Sequence, residues 1–172
     1  MTSSAKISPK AQSAQGLTSP AALIARLMKD FPNANFKVGP RDYWSPKNQT
    51  ITYNPSQPWK KFYYGVLHEL AHALLDHSTY KSDFELLKLE SDSWDLALKM
   101  GKKYSLPISP DHIQNCLDTY RDWLDRRSTC PNCGTHATQK DSRRYHCFNC
   151  RTVWQVSNRR FARPYRRMIT SL

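Results

Sequence analysis

Four of the five cysteines stand in two Cys-x-x-Cys pairs, Cys130/Cys133 and Cys147/Cys150, with thirteen residues between the pairs. In a reducing compartment such paired thiols are kept as metal ligands rather than as disulfides. Two short knuckles facing each other across a hairpin supply four thiolates about 2.3 Å from one ion in a closed tetrahedron, which is the plan of a structural zinc ribbon. Few apolar residues lie nearby, so a ribbon over 128–157 depends on its metal to fold. His136 and His146 sit in and beside the hairpin, and four cysteines leave neither needed as a ligand. The fifth, Cys116, falls on an apolar stripe and is expected in a core.

Upstream, "WKKFYYGVLHELAHALLDH" carries apolar residues at 59, 62, 63, 66, 67, 70, 71 and 74, the period of a helix. Positions four apart stack on one helical face, so His68 and His72 can both turn a ring nitrogen to one ion. Glu69 adjoins them without ligating. In a His-Glu-x-x-His arrangement that glutamate takes a proton from water made acidic by zinc and passes it to a leaving amine, which is peptide-bond hydrolysis. A surface helix with stray histidines is the competing explanation. The apolar flanks Val66, Leu67, Leu70 and Leu74 argue against it, because half-buried imidazoles need partners.

A catalytic zinc takes three protein ligands. The next helix, "SDFELLKLESDSWDLALKMGKKY", begins near Ser82 or Asp83 and ends near Gly101. Glu90 emerges on it among Leu86, Leu87, Ser93, Trp94 and Ala97, where an unpaired carboxylate costs several kcal/mol or stays protonated. A cation beside it removes the difficulty. Asp92 and Glu85 have more polar helical neighbours and rank second and third. An extended motif would need a glycine three residues beyond His72 and a further histidine three residues after that, but the chain has Leu75 and Ser78 at those places. His77 is therefore expected to end the helix at the negative end of its dipole or to lie in solvent. His112 is a weaker alternative ligand.

Residues 1–18 lack aromatic side chains and are expected to be a disordered tail. Ser19 and Pro20 open a helix over 20–31, and Ser109 with Pro110 opens a fourth helix. Between Phe36 and Tyr53 the short segments "NFKV", "DYW" and "QTITYN" are punctuated by Gly-Pro and Ser-Pro-Lys-Asn, which predicts a small antiparallel sheet. The organisation is therefore α+β: a tail over 1–18, a domain over 19–127, the ribbon over 128–157 and a basic aromatic tail over 158–172.

The strand-rich segment, the helix bearing H-E-L-A-H and the downstream "ESDSWDLA" together resemble the ImmA/IrrE family of gluzincin-type metallopeptidases over residues 20–105. That family's downstream motif commonly reads E-x-E-A-N-x-F-A; the chain keeps Glu90 and Ala97 but has Asp92, Ser93, Trp94 and Leu96 at the other places. The resemblance implies a zincin-like fold, a catalytic zinc on His68, His72 and Glu90 with Glu69 as general base, and a transcriptional repressor as substrate. With Trp94 at the polar position, the group that orients the ligand carboxylate must come from elsewhere. An extended substrate could pair with an exposed sheet edge, and Tyr53, Tyr63 and Tyr64 are candidates for stabilising the oxyanion. A SprT-like protease also joins this motif to a ribbon, but takes its third ligand from a histidine commonly followed by glycine, and no His-Gly pair occurs here. A nucleic-acid-binding regulator with a vestigial peptidase site is the alternative of a different class.

The formal charge is +12, and from Arg121 onward twelve Lys and Arg face three Asp. Such asymmetry favours a polyanionic partner. Arg159, Arg160, Arg163, Arg166 and Arg167 alternate with Phe161 and Tyr165, a pattern that suits DNA or RNA, and equally a tail that packs its aromatics on the preceding domain. No window of about 18 apolar residues occurs, so a membrane partner is not expected and the chain is expected to be cytoplasmic. The sequence thus predicts two zinc ions per chain, one catalytic and one structural, and a protein substrate.

Overall fold

The computed structural model describes residues 18–157 and 166–169. Helix α1 (Pro20–Asp30) starts where the Ser19 side chain accepts the Ala22 N–H at 3.3 Å, and it buries Leu23, Ile24 and Leu27. Strands β1 (Asn35–Val38), β2 (Tyr43–Ser45) and β3 (Thr50–Tyr53) follow, matching the three predicted segments. The sheet is mixed rather than antiparallel. Its order is β1-β3-β2, with β1 parallel and β2 antiparallel to the central β3.

The short connection between β1 and β2 explains the difference. The Gly39 N–H extends the ladder by donating to Tyr53 O at 2.9 Å, and a Cβ at Gly39 would stand 2.3 Å from the Thr52 methyl. Pro40 then withholds a donor. Asp42 accepts the Asn54 N–H at 2.8 Å and lies so close to Gly65 that a Cβ there would meet its Oδ2 at 2.2 Å. Instead of closing a hairpin, the chain arches past the end of β3 and returns along its far edge. β2 and β3 do form a hairpin, turning through Gln49 at φ 50°.

Helix α2 (Trp59–Leu74) is the centre of the core: Phe62, Val66, Leu67 and Leu70 are wholly buried against Leu23, Leu27 and Ile51. Helix α3 (Asp83–Lys103) packs along it. Its start is capped reciprocally, Ser82 Oγ accepting the Glu85 N–H at 3.1 Å while the Glu85 carboxylate accepts the Lys81 N–H at 2.5 Å. The Tyr104 hydroxyl donates to Asp30 at 2.8 Å and ties the ends of α3 and α1 together. Helix α4 (Pro110–Ser128) completes this part, with Cys116 packed against the core as its stripe implied. No helix among the described residues is long and apolar enough to cross a membrane.

The cysteine-bearing segment forms a second, antiparallel sheet of β4 (Thr138–Gln139), β5 (Arg144–His146), β6 (Val153–Val156) and β7 (Arg166–Ile169), in that order. β7 carries the ribbon sheet into the segment expected to be the basic tail. The open edge of β6 offers unpaired backbone groups, and four residues assigned to the tail satisfy them. The predicted boundary at 127/128 also falls inside the last turn of α4 rather than in a linker.

That turn holds the two parts together. Arg127 is 1% exposed and Asp83 2%. Arg127 Nε and Nη2 donate to the two Asp83 oxygens at 2.5 and 3.2 Å, and its remaining N–H groups reach the carbonyls of Ser142 and Ser157. The Tyr145 hydroxyl donates to Asp83, Gln139 Oε1 accepts the Asp83 N–H at 2.8 Å, and Trp154 Nε1 donates to Arg127 O at 3.0 Å. The guanidinium also lies 4.2 Å from the Trp123 ring. Breaking a buried pair strands one charge at a cost of about 3–5 kcal/mol, whereas an exposed pair such as Arg121–Asp118 contributes about 0–1 kcal/mol. Urea unfolding should therefore show Arg127→Met destabilised by about 3–5 kcal/mol and Arg121→Ala by less than about 1 kcal/mol.

Candidate metal centre

Helix geometry stacks His68 and His72 on the face of α2 turned toward α3, and α3 presents Glu90 to both. His68 Nε2 lies 3.1 Å from His72 Nε2 and 3.2 Å from Glu90 Oε2, and His72 Nε2 lies 3.7 Å from Glu90 Oε1. The three residues are 8%, 9% and 7% exposed. Bonds of 2.0–2.1 Å to a tetrahedral ion put ligand atoms about 3.3 Å apart, so the two nitrogens and one oxygen fit such an ion and could hold it. Burial pushes the Glu90 carboxyl up, but hydrogen bonds and charge from the two imidazoles outweigh it and hold the group at about 2.

Glu69 lines the same 270 Å³ cavity. The Trp44 backbone N–H donates to its Oε2 at 2.6 Å, so edge strand β2 fixes the orientation of this carboxylate. Burial raises its pKa, while His68, His72 and the Trp44 N–H oppose the rise only in part. A carboxylate raised in this way is a better proton acceptor near neutral pH.

His77 departs from expectation. The chain turns back through Asp76 at φ 52° and sets the His77 ring against His72, Nδ1 to Nδ1 at 3.0 Å. The Ser93 hydroxyl, 3.1 Å from the same nitrogen, donates to Leu89 O at 2.9 Å and so only packs against the ring, while Trp44 Nε1 donates to His77 O at 2.8 Å and holds the turn. Burial, then the neighbouring His72, lowers the His77 pKa and favours a neutral ring. With its Nε2 turned to His68 and Glu90, His72 presents Nδ1–H to a neutral acceptor. Only the spacing of five residues beyond His72 hinted at this contact, because it depends on a left-handed residue that sequence pattern does not reveal.

His68 is positioned differently. Its Nδ1 is buried without a hydrogen-bond partner, and Trp94 stacks on the ring at 4.1 Å with 26° between planes. Trp94 thus braces one imidazole of the His68/His72/Glu90 group by ring contact. His112 lies behind Trp94 at 5.6 Å, beside Tyr64 and 3.6 Å from Cys116 Sγ, and outside the His68/His72/Glu90 group. Asp92 pairs with Lys88 at the surface and Glu85 caps α3, so neither alternative acid joins the group.

The three tyrosines considered for the oxyanion lie elsewhere. Tyr63 donates to Pro107 O at 2.9 Å, Tyr64 accepts the Ser109 N–H at 3.1 Å, and Tyr53 packs edge-on to Phe62. The phenols that line the cavity are Tyr80 and Tyr120.

In the second cluster, Cys130 and Cys150 have sulfurs 3.5 Å apart, as do Cys133 and Cys147, and all four lie within 4.8 Å of one another. A tetrahedral Zn–S bond of about 2.3 Å puts sulfurs about 3.8 Å apart, so this group also fits an ion and is consistent with a zinc ribbon. The two knuckles repeat each other: the Cys130 and Cys147 N–H groups donate to Thr135 O and Thr152 O, and Gly134 and Arg151 N–H donate back to Cys130 O and Cys147 O. Gly134 (φ 71°) and Arg151 (φ 62°) occupy the same left-handed position. The Thr152 hydroxyl beside Cys150 pulls its thiol down to about 5, whereas burial pushes Cys130 up to about 11. Of the five arginines singled out, Arg159, Arg160 and Arg163 lie outside the described residues. Arg166 donates to Thr129 O at 2.8 Å, and Arg167 is exposed on β7.

Elemental analysis of the zinc-reconstituted chain is expected to give two ions for the wild type and one for His72→Ala or Glu90→Ala. Because a partner that orients a ligand imidazole contributes about 10- to 100-fold in metal affinity, His77→Ala should lose its ion to a competing chelator correspondingly more readily while keeping the wild-type circular dichroism. Comparison with known proteins finds no family model, curated protein or solved structure that matches the chain.

Proposed function

We propose that the chain is a zinc-dependent endopeptidase of zincin-like design, with a structural zinc in its ribbon. The observation that carries this is one shared cavity: three buried ligand atoms converge there and a fourth group, Glu69, stands beside them without joining them. His68, His72 and Glu90 would hold the ion, which supplies the Lewis acidity that makes water nucleophilic near pH 7. Glu69 takes the proton of the attacking water and delivers it to the departing amine. The Trp44 N–H keeps that carboxylate in one orientation, and burial keeps its proton affinity high.

Strand β2 is an edge strand and its Trp44 lines the cavity, so an extended peptide lying beside that edge would meet the three convergent side chains and Glu69, which supports a protein substrate even though Glu69 already holds the Trp44 N–H. The resemblance to the ImmA/IrrE family favours a DNA-bound transcriptional regulator as that substrate. Glu90 as the acidic third partner favours this family over a SprT-like protease, whose third ligand is a histidine. A nucleic-acid-binding regulator with a vestigial site is the second reading, favoured by nine Lys and Arg against one Asp from Thr129 to the C-terminus.

Glu69→Gln separates the two. It should leave folding and metal content unchanged and reduce cleavage by about 10²- to 10⁴-fold, the contribution of a positioned base. Partners trapped on this variant, identified by mass spectrometry, are the substrates to assay. Equal inactivity of wild type and Glu69→Gln toward every trapped DNA-bound partner would rule out the peptidase in favour of the binding module.

A further inference from the structure

The ribbon sheet has one covered face and one open face. Tyr145, Trp154 and Val156 are buried on the covered side, where Trp154 reaches the end of α4. The alternation of strands sends the intervening residues the other way. Arg144 pairs with Gln155 and Gln155 with Arg167, so these three stand in one row across β5, β6 and β7. His146 and Ile169 occupy the adjacent row, both paired to Val153. Beyond His146, inside the second cysteine knuckle, Phe148 is 74% exposed with its ring 4.9 Å from the His146 ring.

We infer that this open face binds single-stranded nucleic acid, with Arg144 and Arg167 on phosphates and Phe148 and His146 under unpaired bases. Charge selects the class of partner. From Thr129 to the C-terminus the formal charge is +8, and a zinc ion on four thiolates offsets only about two of these. Arg144 does pair with Asp141, but both are substantially exposed, and such a pair contributes too little to withhold the guanidinium from a phosphate. Width selects the form. Four strands spaced about 4.8 Å apart span about 14 Å before side chains are added, too wide for a major groove of about 12 Å. An open sheet face with an exposed ring suits splayed bases instead. The surface therefore lies on the sheet rather than in the arginine-rich segment between β6 and β7, and it needs nothing from the peptidase chemistry.

The test uses the full-length, zinc-loaded chain and fluorescence anisotropy with labelled oligodeoxythymidine and a duplex of equal length. Tighter binding of the single strand is expected. Phe148→Ala should weaken it by about tenfold, since stacking contributes that much or more per base, and Arg144→Ala and Arg167→Ala should each lower the slope of log affinity against log salt by about 0.7. Zinc content and circular dichroism establish that the variants are folded. The proposal is overturned if the wild type binds neither probe, if the duplex binds as tightly as the single strand, or if Phe148→Ala and Arg167→Ala leave affinity and salt slope unchanged. It is equally overturned if only joint replacement of Arg159, Arg160 and Arg163 abolishes binding.

Discussion

A carboxylate shut away from water must find positive charge or hydrogen-bond donors, and Glu90 meets that demand with two imidazoles from the neighbouring helix. This requirement fixes how α3 lies on α2. A turn of α3 in either direction would expose Glu90 and drive its polar neighbours into the core, so the apolar contacts of Trp94 and Ala97 and the polar contacts of Glu90 select the same arrangement. The metal-competent group is thus a product of helix packing. It also explains why Glu69, next in sequence to His68, stands apart from the group: the helix turns it about 100° away, toward β2.

The two imidazoles are steadied by unlike means. His72 leans on the neutral ring of His77, while His68 is pressed against an indole. Hydrogen bonds define a ring's direction and tautomer; stacking defines its plane but leaves rotation within that plane less constrained. The buried, unpartnered Nδ1 of His68 is the cost of using Trp94 at this place.

Much of this was legible in the residues. Helical period located all four helices, cysteine spacing located the second cluster, and the awkward position of Glu90 on an apolar stripe singled it out from Asp92 and Glu85. What was not legible was long-range or dependent on backbone conformation. The parallel pairing of β1 with β3 arises from Gly39, Pro40 and Asp42 acting together, and a pattern of alternating residues does not encode strand direction. His77 looked like a helix end because its partner depends on the left-handed Asp76. Asp83 and Arg127 stand in an α3 first turn and an α4 last turn, where dipole rules alone would place such charges, and nothing in the residue pattern marks them as a buried pair. β7 was hidden because its four residues satisfy an edge that exists only once the ribbon has formed.

The junction gives α3 two jobs. Its first turn carries Asp83, clasped by Arg127 and Tyr145, and seven residues on, about 10 Å along the axis, it carries Glu90. A helix is stiff over that length, so fraying that starts at the clasp reaches the acid within two turns. The cysteine module acts as a keystone for the distant cavity: whatever unravels the ribbon slackens the grip on the helix that carries Glu90.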